Sequence, residues 1–299
     1  MQLDLFEDNR PGILLNCAHD HILSRDFHRA VSVYEQLLTD YPGDRHASAM
    51  LKLVSELIEL LPAPDASISP EQLHKLWLRL GSLHHSALRS TLLDILYDAM
   101  CALPHAEQMY RAPNFHLGQI LMECGRYDRA ADCFQKALAA GNVPRGRFMA
   151  WRGDALTLAG NEVEAIESYL KAFLHDPNSV DIQSIKNRTI SDLYTSLSSE
   201  TTDETEEQET PAWLPVWGWL QGVFSLPLQP SPVQVPDVSS FEIRFTDNSV
   251  SRGRLWFDML THAERLRTTR RDDPDLLPMR RLLKKTNGFM FKWYLEKIS

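Results

Sequence analysis

The stretch AVSVYEQLLTDYP at residues 30–42 has two counterparts, AADCFQKALAAGN at 130–142 and AIESYLKAFLHDP at 165–177. In each stretch an alanine is followed four residues later by an aromatic residue and seven residues later by leucine or alanine. Another small residue stands twelve residues before each alanine, where two antiparallel helices could approach closely. The spacing predicts a repeated helix pair. The positions that carry it are Ala18, Ala30, Tyr34, Leu37 and Pro42, then Gly118, Ala130, Phe134 and Ala137, then Gly153, Ala165, Tyr169, Ala172 and Pro177.

This pattern resembles the tetratricopeptide repeat, a helix-turn-helix unit of about 34 residues with fixed small, aromatic and proline positions. The resemblance implies an all-α fold, a tetratricopeptide-like helical solenoid, which we place at residues 11–198. Between the first two recognisable units the pattern is irregular, and apolar periodicity predicts helices near 45–61, 71–83 and 87–102. A last helix near 180–198 is expected to cap the solenoid.

In tetratricopeptide repeat proteins the first helix of each pair, helix A, lines a concave groove that binds proteins. The resemblance therefore implies partner-binding positions in three sets, which are Leu15, His19 and Ile22, then Phe115, Gln119 and Met122, then Arg147, Asp154 and Thr157. Such a groove would receive an extended or helical peptide. The alternative is that Phe115 and Met122 only pack against neighbouring helices. We predict a non-catalytic scaffold or adaptor whose protein partner the sequence does not identify.

The N-terminal residues 1–10 carry the peptide QLDLF at 2–6. It resembles the short motif by which bacterial DNA polymerases and repair proteins bind the replicative sliding clamp. The clamp-binding residues implied are Gln2, Leu3, Leu5 and Phe6. This gives an alternative function, a replication or repair accessory protein tethered to the clamp. The structural alternative is that Leu3, Leu5 and Phe6 fold back as a lid on the first repeat.

Residues 199–240 read as a linker that is first acidic and then rich in proline and tryptophan. The acidic stretch 199–210 has no apolar residue to bury and is expected to be disordered. In PAWLPVWGWL, residues 211–220, Trp213 and Trp217 stand four apart, so a short helix would present both on one face. That face packs either on the solenoid or on a partner, and we favour packing within the chain. The following segment, 227–236, is expected to be an extended connector.

Residues 241–299 are expected to form a small, basic and mostly helical module. The alternation in FEIRF at 241–245 predicts one strand there, and helices are expected from 255 to 267, from 276 and from 289 onward. Basic side chains could meet phosphates, although intervening acids favour a solvated face, so we do not expect nucleic acid as a partner. They are Arg265, Arg267, Arg270, Arg271, Arg280, Arg281, Lys284 and Lys285.

Composition excludes several classes of function. The net charge is −9, although residues 252–299 hold 12 Lys or Arg against 6 Asp or Glu. No apolar run is long enough to span a membrane and no signal peptide is apparent, so we expect a cytoplasmic protein without a membrane partner. The four cysteines have no metal or redox spacing, and we interpret them as reduced, mostly buried thiols. Catalytic motifs are absent from the sequence, so we predict no enzyme activity, no cofactor and no metal, and an enzyme with an unrecognised C-terminal site stays the third alternative.

Overall fold

The computed structural model describes residues 9–61, 68–83, 85–200, 210–227, 238–246, 251–269 and 273–299. Within these ranges the chain forms 15 α-helices and no β-strand, so the fold class is all-α, a solenoid of paired helices, as the sequence predicts. The helices are α1 (Arg10–Leu23), α2 (Phe27–Asp40), α3 (Arg45–Leu60), α4 (Pro70–Leu80), α5 (Ser86–Ala102), α6 (Leu117–Glu123), α7 (Tyr127–Ala140), α8 (Arg145–Leu158), α9 (Glu162–His175), α10 (Arg188–Glu200), α11 (Thr210–Leu220), α12 (Val238–Thr246), α13 (Arg252–Thr269), α14 (Leu276–Thr286) and α15 (Gly288–Ile298).

The chain divides into two compact units, Met1–Arg126 and Tyr127–Ser299. The boundary falls between α6 and α7, the two helices of the second predicted repeat. The domain boundaries expected from the sequence stay a prediction.

In the first unit each helix from α1 to α6 packs on the next, and α1 also contacts α5. The helix ends follow from local capping. Asp26 and Asp44 accept the backbone N–H groups of Arg29 and Ala47 at the starts of α2 and α3. Ser69 forms a reciprocal capping box at the start of α4, where the sequence predicts a helix beginning with Pro70.

In the second unit α7, α8 and α9 pack in sequence, and α11 contacts the repeat helix α9 and the cap helix α10. α11 also contacts α13 and α15 from the C-terminal module. Gly253 on α13 makes this approach possible, because a Cβ there would lie 2.2 Å from the carbonyl oxygen of Ala212. The tryptophan-rich segment is thus a buried helix within this unit.

The strand predicted at 241–245 is wrong, because these residues lie in α12. A strand would place Phe241, Ile243 and Phe245 on one face, but Phe241 is 2% exposed and Ile243 is 71% exposed. Phe241 and Phe245 stand four apart, which is also the spacing of one helix face. Five alternating residues therefore cannot distinguish a strand from a helix when the middle apolar residue, Ile243, can remain exposed to solvent.

The expectation of mostly buried thiols is also wrong. Cys17 and Cys101 are exposed, Cys124 is half-buried and Cys133 alone among the four is buried. All four are free of disulfides. The predicted disorder of the acidic stretch falls largely on 201–209 and the extended connector on 228–236, which lie outside the described residues.

Candidate functional site

Helix A of the first repeat is α1, and its three predicted binding residues differ in accessibility. Ile22 is fully buried in the core of the first unit, so it is not available to a partner. Leu15 is half-buried and packs on the same core. His19 is half-buried as well, and its ring lies 6.1 Å from the ring of His85. Only part of this predicted set is therefore exposed.

Three histidines of the first unit lie close together, namely His19 on α1, His46 on α3 and His85 directly before α5. The ring of His85 lies 6.1 Å from that of His19 and 6.2 Å from that of His46. Its Nδ1 accepts the backbone N–H of Leu88 at 3.3 Å and so caps α5. Burial and the neighbouring His46 and His19 lower the pKa of His85. No pattern in the sequence connects these histidines, because α1, α3 and the start of α5 come together only in the folded unit.

In the second predicted set, Phe115 is a core residue. It is 0% exposed, and its ring stacks on His74 with a centroid distance of 5.4 Å and lies 6.3 Å from Trp77. The prediction that Phe115 contacts a partner is therefore corrected, since its surface is already covered by α4. Gln119 and Met122 lie on α6 and are half-buried.

His116 positions α6 and was not singled out from the sequence. Its side chain is buried, and Nδ1 accepts the backbone N–H of Gly118 at 2.9 Å. Because that nitrogen is an acceptor, Nε2 carries the proton and donates to the carbonyl of Glu107 at 2.9 Å. Burial lowers the pKa of His116 to about 4, so the ring is neutral at physiological pH. The sequence feature that could have identified His116 is its position directly before the start of a helix.

In the third set, Asp154 is only 6% exposed and serves the core of the second unit. Its Oδ1 accepts the hydroxyl of Tyr169 at 2.6 Å and the backbone N–H of Lys186 at 2.7 Å. Burial raises the pKa of Asp154 to about 6 against these two hydrogen bonds. The predicted binding role of Asp154 is therefore corrected, because this carboxylate joins α8, α9 and the segment before α10.

The other two positions on α8 are half-buried. Arg147 donates from Nε to the carbonyl oxygen of Ser179 at 3.2 Å. Thr157 donates to the carbonyl of Gly153 at 2.9 Å and accepts from Asn187 at 3.1 Å. Both side chains are thus hydrogen-bonded within the unit.

The tryptophans of α11 pack within the chain, as favoured from the sequence. Trp213 and Trp217 are 8% and 2% exposed. Trp217 donates from Nε1 to the hydroxyl of Ser196 on α10 at 2.8 Å and meets Trp293 of α15 edge-on at 5.5 Å between centroids. This face is therefore not a free surface for a partner.

The basic residues of the C-terminal module do not form one solvated face. Arg267 donates to the buried carboxylate of Glu264 at 2.7 Å, while Arg281 and Lys284 are exposed. Arg265 borders a cavity. Arg280 is half-buried and Lys285 is exposed. Arg270 and Arg271 lie outside the described residues, as do the predicted clamp-binding residues Gln2, Leu3, Leu5 and Phe6.

Metal and membrane chemistry find no support among the described residues. No group of three or more His, Cys, Asp or Glu side chains there has an arrangement that could hold a metal ion. None of the helices in those ranges combines the length and apolarity needed to cross a bilayer.

Comparison with known proteins gives one match. Residues 115–179 match a family model described as Tetratricopeptide repeat. No curated protein and no solved structure matches the chain. The matched segment runs from Phe115 to the turn after α9 and includes the second and third repeats expected from the spacing. Over these residues, the chain is similar to tetratricopeptide repeat proteins.

Proposed function

We propose that the protein is a non-catalytic scaffold or adaptor that binds a protein partner through helix A positions of its repeats. Tetratricopeptide repeats generally mediate protein interactions, and the matched segment gives this chain the same helix pairing. Helical repeats present adjacent side chains from successive helices, which suits recognition of an extended or helical peptide.

The observation that carries the proposal is the pair Gln119 and Met122 on α6. They stand three apart on one helix face and both are half-buried. Among the described residues, the Gln119 amide has no hydrogen-bond partner, so its donors and acceptor stay available to a peptide. Met122 supplies a flexible apolar contact beside it. These two residues combine the polar and apolar contacts that peptide recognition needs.

Other predicted binding residues that are only half-buried support the same function within each unit. In the first unit they are Leu15 and His19, and in the second unit Arg147. Their partner would present apolar side chains together with hydrogen-bonding groups. Ile22, Phe115 and Asp154 act on binding only by holding the helices in place.

The test is affinity capture with the full-length protein and a Gln119→Ala/Met122→Ala variant. The matched control is Gln36→Ala/Leu78→Ala, because both residues are exposed on α2 and α4 and make a similar change in composition. We expect the first variant to lose partners that the wild type and the control retain. Capture of the same partners by both variants would contradict the proposal, provided that circular dichroism shows equal helicity.

A second candidate function is docking on a bacterial sliding clamp, which the peptide QLDLF at residues 2–6 favours. A short peptide on a terminus can bind through a few apolar anchors. The test is direct binding to purified clamp by the intact protein, by Leu5→Ala/Phe6→Ala and by the control Asp4→Ala, which changes the variable position of the motif. Clamp binding lost only in the double variant supports docking. If none of the three proteins binds the clamp and the double variant unfolds at a lower temperature than the wild type, the result supports the alternative that these residues form a lid on the first repeat.

A further inference from the structure

A cavity of about 240 Å³ opens between α12 and α13 in the second unit. Its walls combine aromatic rings, Phe241 and Phe257, with arginine side chains. The volume corresponds to about eight water molecules at the ~30 Å³ that each occupies in the liquid. The cavity is therefore large enough for a small organic molecule and larger than a single ion requires.

Two of the arginines that line the cavity share one carboxylate. Arg244 lies 2.7 Å and Arg254 lies 3.1 Å from the two oxygens of Asp258. Arg254 also donates to the carbonyl oxygen of Leu174 at 2.7 Å. These guanidinium groups are held in place by the protein, and Asp258 neutralises only one of their two charges.

The third arginine, Arg265, also lines the cavity. Its Nε is buried and has no acceptor among the described residues. In the same part of the chain no carboxylate lies within ion-pair distance of Arg265, although Asp273 and Asp275 stand near its neighbour His262. Arg265 therefore adds to the lining a positive charge that no carboxylate of the described residues pairs with.

His262 also lines the cavity and does not offset this charge. Burial and the adjacent Arg265 lower the pKa of His262, against the smaller opposing influence of Asp275 and Asp273. Three arginines and one aspartate thus leave the lining with a net positive charge. A negatively charged group would meet that charge at Arg265.

We propose that this cavity binds a small organic anion whose carboxylate or phosphate pairs with Arg265 and whose apolar part packs between Phe241 and Phe257. The two terminal nitrogens of an arginine can donate together to two oxygens of such a group. The apolar walls explain why the ligand would carry more than the anionic group itself. This site is separate from the helix A positions of the proposed adaptor function and does not depend on them.

The experiment is isothermal titration of the full-length protein with four probes, namely phenyl phosphate, benzoate, inorganic phosphate and the uncharged benzyl alcohol. We expect saturable binding of phenyl phosphate or benzoate, with the tighter of the two identifying the anionic group. Inorganic phosphate and benzyl alcohol should bind at least tenfold more weakly, because each lacks one half of the recognition. Equal binding of either one would overturn the proposal.

Three variants locate the binding. Arg265→Gln should weaken the organic anion about tenfold or more, as the loss of one charge-assisted hydrogen bond implies. Arg281→Gln is the matched control, because Arg281 is exposed on α14 and its substitution removes the same charge. Thr261→Met keeps every charge but fills the cavity, so it should also abolish binding. Equal affinities of Arg265→Gln and Arg281→Gln, or no saturable binding of either organic anion by the wild type, would overturn the proposal.

Discussion

The first and third repeats use the same small and aromatic positions but place different chemistry beside them. Ala18 precedes His19 in α1, and Gly153 precedes Asp154 in α8. The aromatic partners Tyr34 and Tyr169 are both buried. Yet Tyr169 donates to Asp154 at 2.6 Å, whereas His19 faces a second histidine 6.1 Å away. The position after the small residue of helix A therefore makes an internal hydrogen bond in the third repeat and carries a partly exposed side chain in the first.

This difference shows which part of a helical repeat is fixed by packing. The small residue is required wherever an aromatic ring from helix B crosses helix A, because the two helices are in van der Waals contact there. The next residue along helix A lies at the edge of that contact. Its role depends on what the following segment places over it, which is the Lys186 backbone in the third repeat.

The largest expected effect comes from filling the crossing point in the third repeat. A Cβ on Gly153 would lie 2.8 Å from the Tyr169 ring, so Gly153→Leu should destabilise the second unit by about 3 kcal/mol through overpacking. Gly12→Leu is the control, because no atom lies within 4 Å of a Cβ at Gly12 in α1. Urea unfolding followed by far-ultraviolet circular dichroism measures both. Equal losses in the two variants would refute close packing at Gly153.

A smaller loss is expected when the hydroxyl of the aromatic partner is removed. Tyr169→Phe takes one of two donors from a buried carboxylate, which should lower the free energy of unfolding by about 2 kcal/mol at pH 8. Tyr34→Phe is the matched change in the first repeat, where the hydroxyl has no hydrogen bond to any residue in the described ranges. We expect it to cost less than half as much in the same urea experiment. A cost for Tyr34→Phe as large as that for Tyr169→Phe would contradict the contrast between the repeats.

Neutralising Asp154 should act in the opposite direction. Its pKa is raised from 3.8 to about 6 in the folded protein, so its ionisation opposes folding, and stability falls as pH rises between these values. At ~1.4 kcal/mol per pKa unit this reaches about 3 kcal/mol above pH 6. Asp154→Asn removes that term but weakens two charge-assisted hydrogen bonds, so we expect a net gain of about 1 kcal/mol at pH 8.

The pH dependence provides the check on Asp154→Asn. The difference between the unfolding free energies at pH 4 and pH 8 should be smaller in the variant than in the wild type. Asp192→Asn is a suitable control, because Asp192 is 71% exposed on α10 and carries the same change in charge. A variant less stable than the wild type at pH 8 would mean that the Asp154 charge stabilises the repeat.

The smallest effect is expected at the histidine cluster of the first unit. The folded protein lowers the pKa of His85, so its neutral form favours folding. That contribution is present above the unfolded pKa and is lost as pH falls through the folded pKa. His85→Asn keeps a capping acceptor for the Leu88 N–H but removes the titration, so it should flatten the decline in stability below pH 6.5. Thermal unfolding between pH 5 and pH 8 measures this slope, and an unchanged slope would contradict a role for His85.

The site was predicted less well than the fold. The helix A register selected Gln119 and Met122, which are half-buried in the structure, but also Phe115 and Asp154, which are buried. Sequence spacing defines a helix face, whereas exposure of that face depends on which other helices cover it. The α4 residues His74 and Trp77 cover Phe115, and they come from the irregular region in which no repeat register could be assigned. The cavity at Arg265 also joins residues from separate helices and has no local signal.

The helical repeats and most helix ends could be predicted from the sequence, because both depend on residues within a few positions of each other. Small and aromatic residues recur at fixed spacing, and Ser69 and Asp275 stand directly before predicted helices that the structure contains. The helical state of residues 241–245 and the contact between α1 and α5 became apparent only in the folded chain. The same holds for the role of Asp154 as an internal hydrogen-bond acceptor. These outcomes depend on burial against distant segments, whose energies are larger than the local preferences of a few residues.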